Sequence, residues 1–173
     1  MPRKIYIVGP VGSGKTTLAR RIALCTGLPW HELDSVVYTR EPREAVNHKR
    51  TPDARDALFG GILKQDGWVM EDAGRACFEE AWHQADTLVL LTPGPLTRRW
   101  RILVRWVKQN LGLEPCGYRP DWKMLRLMFS WSRGYETGAN KLAERLQPHR
   151  HKLVILRTRR EVAAFLRGLS AQA

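Results

Sequence analysis

A glycine-rich segment near the start of the chain constrains its fold more than any other feature. Residues 9–17 read Gly-Pro-Val-Gly-Ser-Gly-Lys-Thr-Thr, so a lysine and a threonine directly follow Gly14, which stands five positions after Gly9. An apolar run at residues 5–8 precedes the segment, and apolar side chains recur at helical spacing through residues 16–26. A strand, a glycine-rich loop and a helix in this order match the Walker A motif. The segment therefore predicts a phosphate-binding loop at the edge of an α/β sheet.

The residue types in this loop predict how it binds a nucleotide. A loop that wraps a phosphate must point consecutive backbone N–H groups inward, and glycine tolerates the backbone conformations that this requires. We expect Lys15 to reach the β and γ phosphates of ATP and the Thr16 hydroxyl to coordinate Mg²⁺. A chance glycine-rich turn is the alternative, and the position of the loop between a strand and a helix disfavours it. The predicted nucleotide-binding residues here are Gly9, Val11, Gly12, Ser13, Gly14, Lys15, Thr16 and Thr17.

Short apolar runs alternate with helical patterns along the rest of the chain. Strands are predicted at residues 5–8, 28–33, 68–71, 86–91 and 152–157. Helices are predicted at residues 16–26, 52–63, 75–85, 96–111, 135–146 and 159–169. Apolar strands alternating with helices predict a three-layer α/β/α fold around a five-stranded parallel sheet. The 173 residues suit one domain, with insertions at 35–66 and 112–135 that interrupt the alternation.

Composition narrows the classes of protein that the chain can belong to. The longest apolar runs fall far short of the roughly 18 residues of a membrane span, so we expect a cytoplasmic protein without a membrane partner. Cys25, Cys77 and Cys116 are too few and too widely spaced for a disulfide scaffold or a metal site. The sequence Asn140-Lys141 is followed by Leu-Ala, so it lacks the aspartate of the guanine-reading motif of GTPases.

Charge is distributed unevenly along the chain. The formal net charge is +12, and residues 98–133 carry nine basic residues against Glu114 and Asp121. Residues 32–86 instead hold twelve acidic residues against seven basic ones. A protein that binds nucleic acid has such a basic segment. A kinase whose lid closes over ATP phosphates with arginines has one as well, so composition leaves both interpretations open.

Acidic residues at predicted strand ends are candidates for the chemistry. Asp34 closes the second predicted strand, at the sheet edge where ligands bind in open α/β sheets. Its carboxylate is suited to orient or deprotonate an acceptor hydroxyl, or to hold a Mg²⁺-bound water. A helix-capping or turn-capping role is the alternative for Asp34. Glu71 and Asp72 end the third predicted strand and are the other candidates for the catalytic carboxylate.

Arginines in the basic segment are candidates for contacts with the transferring phosphates. Arg98, Arg101 and Arg105 lie three and four positions apart, which places them on one helical face. The planar guanidinium group matches the charge that spreads over a phosphoryl group during transfer. A solvated basic face is the alternative. Arg133 is a candidate lid arginine by the same argument.

The order of these features, from residue 5 to residue 169, resembles the adenylate kinase-related P-loop family of topology modulation proteins. The resemblance rests on the phosphate loop, on the arginine-rich helix that begins near Arg98, and on four further segments. They are Thr26-Gly-Leu-Pro-Trp-His31-Glu-Leu-Asp34, Trp68-Val-Met, Ala85-Asp-Thr and Leu156-Arg-Thr-Arg-Arg-Glu-Val162. Two positions depart from the family pattern. Glu71-Asp72-Ala73-Gly74 stands where the family tends to have Asp-Gly-Asn-Tyr, and Thr92 replaces an acidic residue.

The resemblance implies a nucleoside or nucleotide kinase-like architecture. Residues 35–66 would then bind the acceptor, residues 112–135 would form a lid, and Arg157 and Arg159 would lie near the ATP base. Together with the motif, this predicts transfer of the γ-phosphate of Mg-ATP to a small hydroxyl or phosphate acceptor such as a nucleoside or nucleotide. The alternatives are a nucleic-acid-associated P-loop ATPase or polynucleotide-end kinase, and a protein that binds ATP without turnover. The sequence leaves the acceptor and the oligomeric state open.

Overall fold

The computed structural model describes residues 2–39, 48–138 and 141–171, and within them five parallel strands form one sheet. These strands are β1 (Lys4–Val8), β2 (Trp30–Glu32), β5 (Trp68–Asp72), β6 (Thr87–Leu91) and β7 (Leu153–Leu156). Their order across the sheet is β2-β5-β1-β6-β7. Two further short strands, β3 (Tyr38–Thr39) and β4 (His48–Lys49), pair with each other in antiparallel fashion. The predicted five-stranded parallel sheet is therefore confirmed.

Helices connect the strands of the main sheet. They are α1 (Lys15–Thr26), α2 (Asp34–Val37), α3 (Pro52–Leu63), α4 (Glu80–Gln84), α5 (Pro95–Asn110), α6 (Trp122–Glu136), α7 (Leu142–Leu146) and α8 (Arg159–Ser170). Two 3₁₀ turns lie at Ala76–Phe78 and Gln147–Lys152. A capping box formed by Thr158 and Glu161 starts α8. In the described part of the chain, no helix has both the length and the apolar character that crossing a membrane requires.

The core has two halves, one on each face of the sheet. Alternation along β1 sends Ile5 and Ile7 to one face and Tyr6 and Val8 to the other. The first face is covered by α1 and α8, which contribute leucines and Ile22. The second face is covered by α3, α4 and α7, whose buried side chains include Trp82. This arrangement confirms the predicted three-layer α/β/α fold.

The secondary structure predicted from the sequence differs from the structure within residues 112–146. The single helix predicted over residues 135–146 is wrong, because α6 ends at Glu136 and α7 begins at Leu142. Gly138 and Lys141 both have positive φ, of 72° and 49°, and this backbone conformation cannot continue a right-handed helix. Residues 112–121 contain no helix or strand, and the Asp121 side chain then caps α6 by accepting from the Met124 N–H.

The two predicted insertions have different contents. Residues 35–66 include most of α2, the β3–β4 pair and α3, and residues 40–47 of this segment lie outside the described residues. Residues 112–135 are a loop followed by most of α6, which packs against α5 through Ile102, Leu125 and Met128. Acceptor-binding and lid roles for these two segments remain predictions.

Candidate active site at the carboxyl edge of the sheet

The phosphate loop, residues 9–16, joins β1 to α1 and has the backbone shape that its glycines predict. Gly12 and Gly14 have φ of 76° and 95°, in the left-handed region that other residues disfavour. The Ser13 N–H donates to the Pro10 carbonyl at 3.2 Å and closes a turn. A Cβ atom added to Gly12 would lie 2.7 Å from the Arg98 carbonyl on α5. The loop therefore packs closely against α5, and glycine is required at this contact.

Backbone N–H groups of the phosphate loop are available to a ligand. Within the described part of the chain, no hydrogen-bond acceptor faces the N–H groups of Val11, Gly12, Gly14, Lys15 and Thr16. Free N–H groups in such a loop and at the following helix N-terminus bind anions, because their partial positive charges add to the helix dipole. The loop thus has the backbone arrangement of the anion cradle that the sequence predicts.

Lys15 lies beside this cradle and among acidic side chains. Its Nζ donates to the Pro10 carbonyl at 3.1 Å. Burial lowers the pKa of Lys15, while the negative charges of Glu71, Asp72 and Asp34 act in the opposite direction. The carboxyl edge of the sheet therefore brings the predicted phosphate-binding lysine and all the candidate carboxylates into one electrostatic cluster.

Glu71 is a buried acid whose carboxylate is a candidate metal ligand. Burial raises its pKa from 4.5 to about 7, although the charge of Lys15 and a hydrogen bond with the Thr16 side chain both act to lower it. In the described structure, the Glu71 Oε1 atom is buried and lacks a hydrogen-bond partner. Carboxylate and hydroxyl oxygens are the ligands that Mg²⁺ prefers. Glu71 and Thr16 together fit a Mg²⁺ ion or one of its bound waters.

We expect the Glu71→Gln variant to lose a pH dependence of stability. Because the folded-state pKa is raised from 4.5 to about 7, Glu71 favours folding while protonated, and this advantage disappears as the pH rises from 4.5 through 7. The shift corresponds to at most about 3 kcal/mol. Urea unfolding of the nucleotide-free protein at pH 5 and pH 8 measures it.

From pH 5 to pH 8, the free energy of unfolding of the parent should fall relative to that of Glu71→Gln. The variant should therefore be relatively more stable at pH 8 than at pH 5. The control is Glu80→Gln, which replaces an exposed glutamate on α4 and should give the same difference at both. A Glu71→Gln variant whose stability follows that of the parent at both pH values would show that Glu71 is not held in its protonated form by burial.

Asp72 is held in place by backbone and side-chain donors. Its side chain is fully buried and accepts the N–H groups of Gly74 at 2.6 Å and of Arg75 at 2.5 Å. The Arg75 guanidinium also pairs with Asp72 and donates to Asp34 Oδ1 at 2.5 Å. Burial acts to lower the pKa of Arg75, but Asp72 and Asp34 outweigh it and the pKa is raised. Arg75 thus bridges the ends of β5 and β2.

Asp34 is the accessible carboxylate of the cluster. It opens α2 directly after β2, and 60% of its side chain is exposed. It is the acidic residue of the first turn of α2. Glu71 and Asp72 are buried by contrast, at 4% and 3% exposure. Of these three acids, Asp34 is the one that an acceptor molecule can reach directly.

The arginines predicted on one face of α5 have different partners. Arg98 is buried, donates to Glu136 Oε1 at 2.6 Å and lies 5.3 Å above the Tyr135 ring. Arg105 is half exposed and pairs with Glu114 at 3.3 Å. Both side chains are therefore engaged with acidic partners, and their predicted contact with transferring phosphates would require them to leave these partners.

Arg101 is the α5 arginine that contacts the phosphate loop. Its Nη1 donates to the Ser13 carbonyl at 2.5 Å. Burial and the nearby charge of Arg159, the first residue of α8, lower the pKa of Arg101. The Arg157 N–H donates to the Glu161 side chain at 2.5 Å. Arg133 is exposed, and no described group pairs with its side chain.

Comparison with known proteins finds solved structures that are similar to this chain over nearly its whole length. No model of a known protein family matches the chain, and no curated protein matches it. Shikimate kinase from Bacteroides thetaiotaomicron is 18% identical, with 99% of this chain and 98% of that chain covered and a TM-score of 0.59. Gluconokinase from Sinorhizobium meliloti is 19% identical, with 99% and 95% covered and a TM-score of 0.52. Shikimate kinase from Acinetobacter baumannii, in complex with shikimate, is 16% identical, with 96% and 90% covered and a TM-score of 0.55.

The chain has a P-loop kinase fold. This similarity at low identity extends over nearly the whole chain and over nearly the whole of each neighbour. It confirms the fold class expected from the Walker A motif and the alternation of strands and helices. The topology modulation family is a narrower assignment, and the roles of individual site residues in this chain also remain predictions.

Sequence reasoning missed Arg75. It was assigned only as the first residue of a predicted helix, whereas the structure places its guanidinium between Asp34 and Asp72. A local signal was present, because Arg75 follows Asp72 by three residues and opposite charges at that spacing often pair. The contact with Asp34 has no such signal, since 41 residues separate the partners.

Proposed function

We propose that this protein transfers the γ-phosphate of Mg-ATP to a small acceptor that carries a hydroxyl or phosphate group. The observation that carries the proposal is the cluster at the carboxyl edge of the sheet. There, an anion cradle with free N–H groups, the half-buried Lys15 and an exposed Asp34 lie together. Phosphoryl transfer needs a positioned acceptor and stabilisation of negative charge more than covalent chemistry from the protein.

Each residue of the cluster has a proposed role. Lys15 and the loop N–H groups neutralise the β and γ phosphates, while Thr16 and Glu71 would hold Mg²⁺, which would supply positive charge to the transferring phosphate. Asp34 orients the acceptor hydroxyl and accepts its proton. Arg75 fixes Asp34 through their 2.5 Å hydrogen bond. Arg101 supports the loop by holding the Ser13 carbonyl.

The acceptor is proposed to bind beside Asp34. Residues 35–66 follow Asp34 directly and would form one wall of its site, and residues 112–135 would form the lid. The acceptor classes are nucleosides and nucleotides, as the family resemblance implies, and small polyhydroxy acids, as the names of the shikimate and gluconate kinases suggest. A cytoplasmic location is proposed because ATP is supplied there.

A panel of acceptors tests this function. ATP consumption and acceptor phosphorylation would be measured with nucleosides, nucleotides, shikimate, gluconate and short oligonucleotides. We expect one class of small molecule to raise ATP consumption well above the rate with water alone, and the Lys15→Ala variant to abolish the increase. ATP binding with no acceptor-dependent turnover anywhere in the panel would instead indicate a protein that binds ATP without using it as a phosphate donor.

A second candidate function has one specific observation in its favour. Lys123, Arg126 and Arg133 are all exposed on α6 and fall on one side of that helix. Such a basic side suits the phosphates of a nucleic acid. It supports the narrower assignment to the topology modulation family and a kinase that acts on polynucleotide ends. Selective phosphorylation of the oligonucleotides in the panel would favour this second function.

A further inference from the structure

Asp34 and Arg75 form a partly exposed pair at the carboxyl ends of two neighbouring strands. Strands β2 and β5 are adjacent in the sheet, and these two residues follow them closely in the chain. Arg75 Nη2 donates to Asp34 Oδ1 at 2.5 Å. The exposed fraction of the side chain is 60% for Asp34 and 31% for Arg75. A molecule that reaches Asp34 from solvent therefore also meets the Arg75 guanidinium.

The loop that carries Arg75, residues 72–75, is held from several directions. The buried Asp72 carboxylate accepts the backbone N–H groups of Gly74 and Arg75. Gly74 has a φ of 94°, which permits the turn. The Gly74 carbonyl accepts from Arg145 Nη1 at 2.9 Å. Because these contacts order the loop in the folded chain, Arg75 can bind a ligand with little further loss of conformational entropy.

Arg75 retains hydrogen-bond donors after its two ion pairs are made. A guanidinium carries five N–H donors. One hydrogen of Nη1 is given to Asp72, and one of Nη2 to Asp34. Among the described residues, no group accepts from its other donors, and none of its nitrogen atoms is buried without a partner. Asp34 Oδ2 likewise has no hydrogen-bond partner among the residues that the structure describes. The pair therefore combines a free acceptor with free donors.

Two neighbouring hydroxyl groups match this pattern of donors and acceptors. A hydroxyl group both donates and accepts, so one can donate to Asp34 while the next accepts from Arg75. A phosphate group matches it poorly, because its oxygens are acceptors and would face the Asp34 carboxylate without a proton to donate. Arg50 also lies in this region, where it donates to the Ser35 carbonyl at 3.4 Å. It has no hydrogen bond to either member of the pair in the described structure.

We propose that Arg75 is a specificity-determining residue and that the acceptor carries two hydroxyl groups on adjacent carbon atoms. The inference rests on the proposed phosphotransferase function. The first hydroxyl donates to Asp34 and attacks the γ-phosphorus of ATP. As its new P–O bond forms, the bond from that phosphorus to the β,γ-bridging oxygen breaks, the hydroxyl proton passes to Asp34 and ADP leaves. The second hydroxyl accepts from Arg75 and so keeps the first in position.

Acceptors that differ by one hydroxyl group test the inference without any change to the protein. Adenosine is compared with 2′-deoxyadenosine, and shikimate with 4-deoxyshikimate, which lacks the middle one of its adjacent hydroxyl groups. Neither deoxy compound retains a neighbouring pair. We expect the parent to show a kcat/KM roughly ten- to a hundredfold higher for the complete acceptor, the usual effect of one hydrogen bond to a charged group. Equal values, or phosphorylation of a nucleotide on its phosphate, would overturn the inference.

Arg75→Lys tests whether Arg75 makes this distinction. Lysine keeps a positive charge beside the buried Asp72, but its single nitrogen cannot fill both ion-pair positions and also bind a hydroxyl. The ratio of kcat/KM between complete and deoxy acceptor should therefore fall toward one. If Arg75 only supported Asp34, the variant would lose the same factor with both acceptors and keep the parental ratio, and that result would overturn the inference. Far-UV circular dichroism and thermal melting establish that the variant is folded.

Arg145→Lys is the matched control. Arg145 is also an ion-paired arginine on the same loop, with 27% of its side chain exposed, and it donates to Glu79 at 2.5 Å and to the Gly74 carbonyl. Its replacement should leave the ratio between the two acceptors at the parental value, because the loosened loop affects both acceptors alike. A ratio that falls equally in Arg145→Lys and Arg75→Lys would contradict a specific role for Arg75.

Equilibrium binding separates a failure of this inference from a failure of the proposed function. Titration calorimetry with Mg²⁺ and a non-hydrolysable ATP analogue measures acceptor affinity without turnover. Tighter binding of the complete acceptor that Arg75→Lys abolishes, with no phosphorylation by the parent, would support the acceptor site and contradict the phosphotransferase function alone. Turnover with no preference for neighbouring hydroxyl groups would overturn the inference alone. A panel in which no compound with such a pair binds or reacts would overturn it as well.

Discussion

The Lys15→Ala variant should keep its fold and gain no thermal stabilisation from Mg-ATP. In the described structure the ammonium group donates to one backbone carbonyl, that of Pro10, so its removal costs little packing. In the parent, ATP at one hundred times its dissociation constant should add about 2.7 kcal/mol to the free energy of unfolding. For a chain of this size that corresponds to a rise in melting temperature of roughly 5 to 10 °C. Thermal melts with and without Mg-ATP measure the difference.

Lys64→Ala provides the control for this experiment. Lys64 is exposed at the end of α3, so its replacement should leave the response to Mg-ATP unchanged. The loss at Lys15 is expected from charge, because the lysine is the cation that we propose to face the phosphates above the loop N–H groups. A Lys15→Ala variant that is stabilised by Mg-ATP as strongly as the parent would mean that the nucleotide binds elsewhere.

The Asp34→Asn variant should bind ATP with nearly unchanged affinity, and its turnover rate should fall by roughly a hundredfold or more. The asparagine can still accept the hydrogen bond that Arg75 donates to Asp34, so the local geometry should persist. What the variant loses is the basic oxygen that we propose to face the acceptor. Steady-state turnover with the acceptor identified in the panel, together with ATP titration, separates the two effects.

Two variants on β5 serve as comparisons for Asp34→Asn. Asp72→Asn should mainly reduce stability, because Asp72 is buried and pairs with Arg75. Glu71→Gln should weaken the dependence on Mg²⁺ and cost less turnover than Asp34→Asn. Normal turnover by Asp34→Asn combined with an inactive Glu71→Gln would transfer the catalytic role to Glu71 at the end of β5.

The parts of the fold that sequence predicted are those with local periodic patterns. Apolar runs such as Leu88 to Leu91 identify buried strands, and Thr158 with Glu161 identifies a helix start from four residues alone. The phosphate loop was predictable for the same reason, since its glycines and lysine are neighbours in the chain. The α/β class and the order of strands and helices along the chain follow from such signals.

The parts that escaped prediction depend on contacts between distant residues. The helix α6 was not predicted, because its buried residues Leu125 and Met128 are interspersed with basic and aromatic ones. The difference in burial between Asp34 and Glu71 depends on sheet register, which places Glu71 on an interior strand between Ile7 and Glu32. Asp34 and Glu71 both lie at the ends of predicted strands. Only their positions in the folded sheet show that the first is exposed and the second is buried.

The contact between the phosphate loop and α5 has a consequence for binding. Because the Arg98 carbonyl lies against Gly12 and Arg101 holds the Ser13 carbonyl, the loop is already ordered before a nucleotide arrives. The entropy of arranging the cradle is then lost on folding and not on binding, which favours affinity. Nucleotide affinity should consequently depend on how rigidly α5 packs against the loop. A substitution on the outer side of this helix that loosens this packing should weaken ATP binding without contacting the nucleotide.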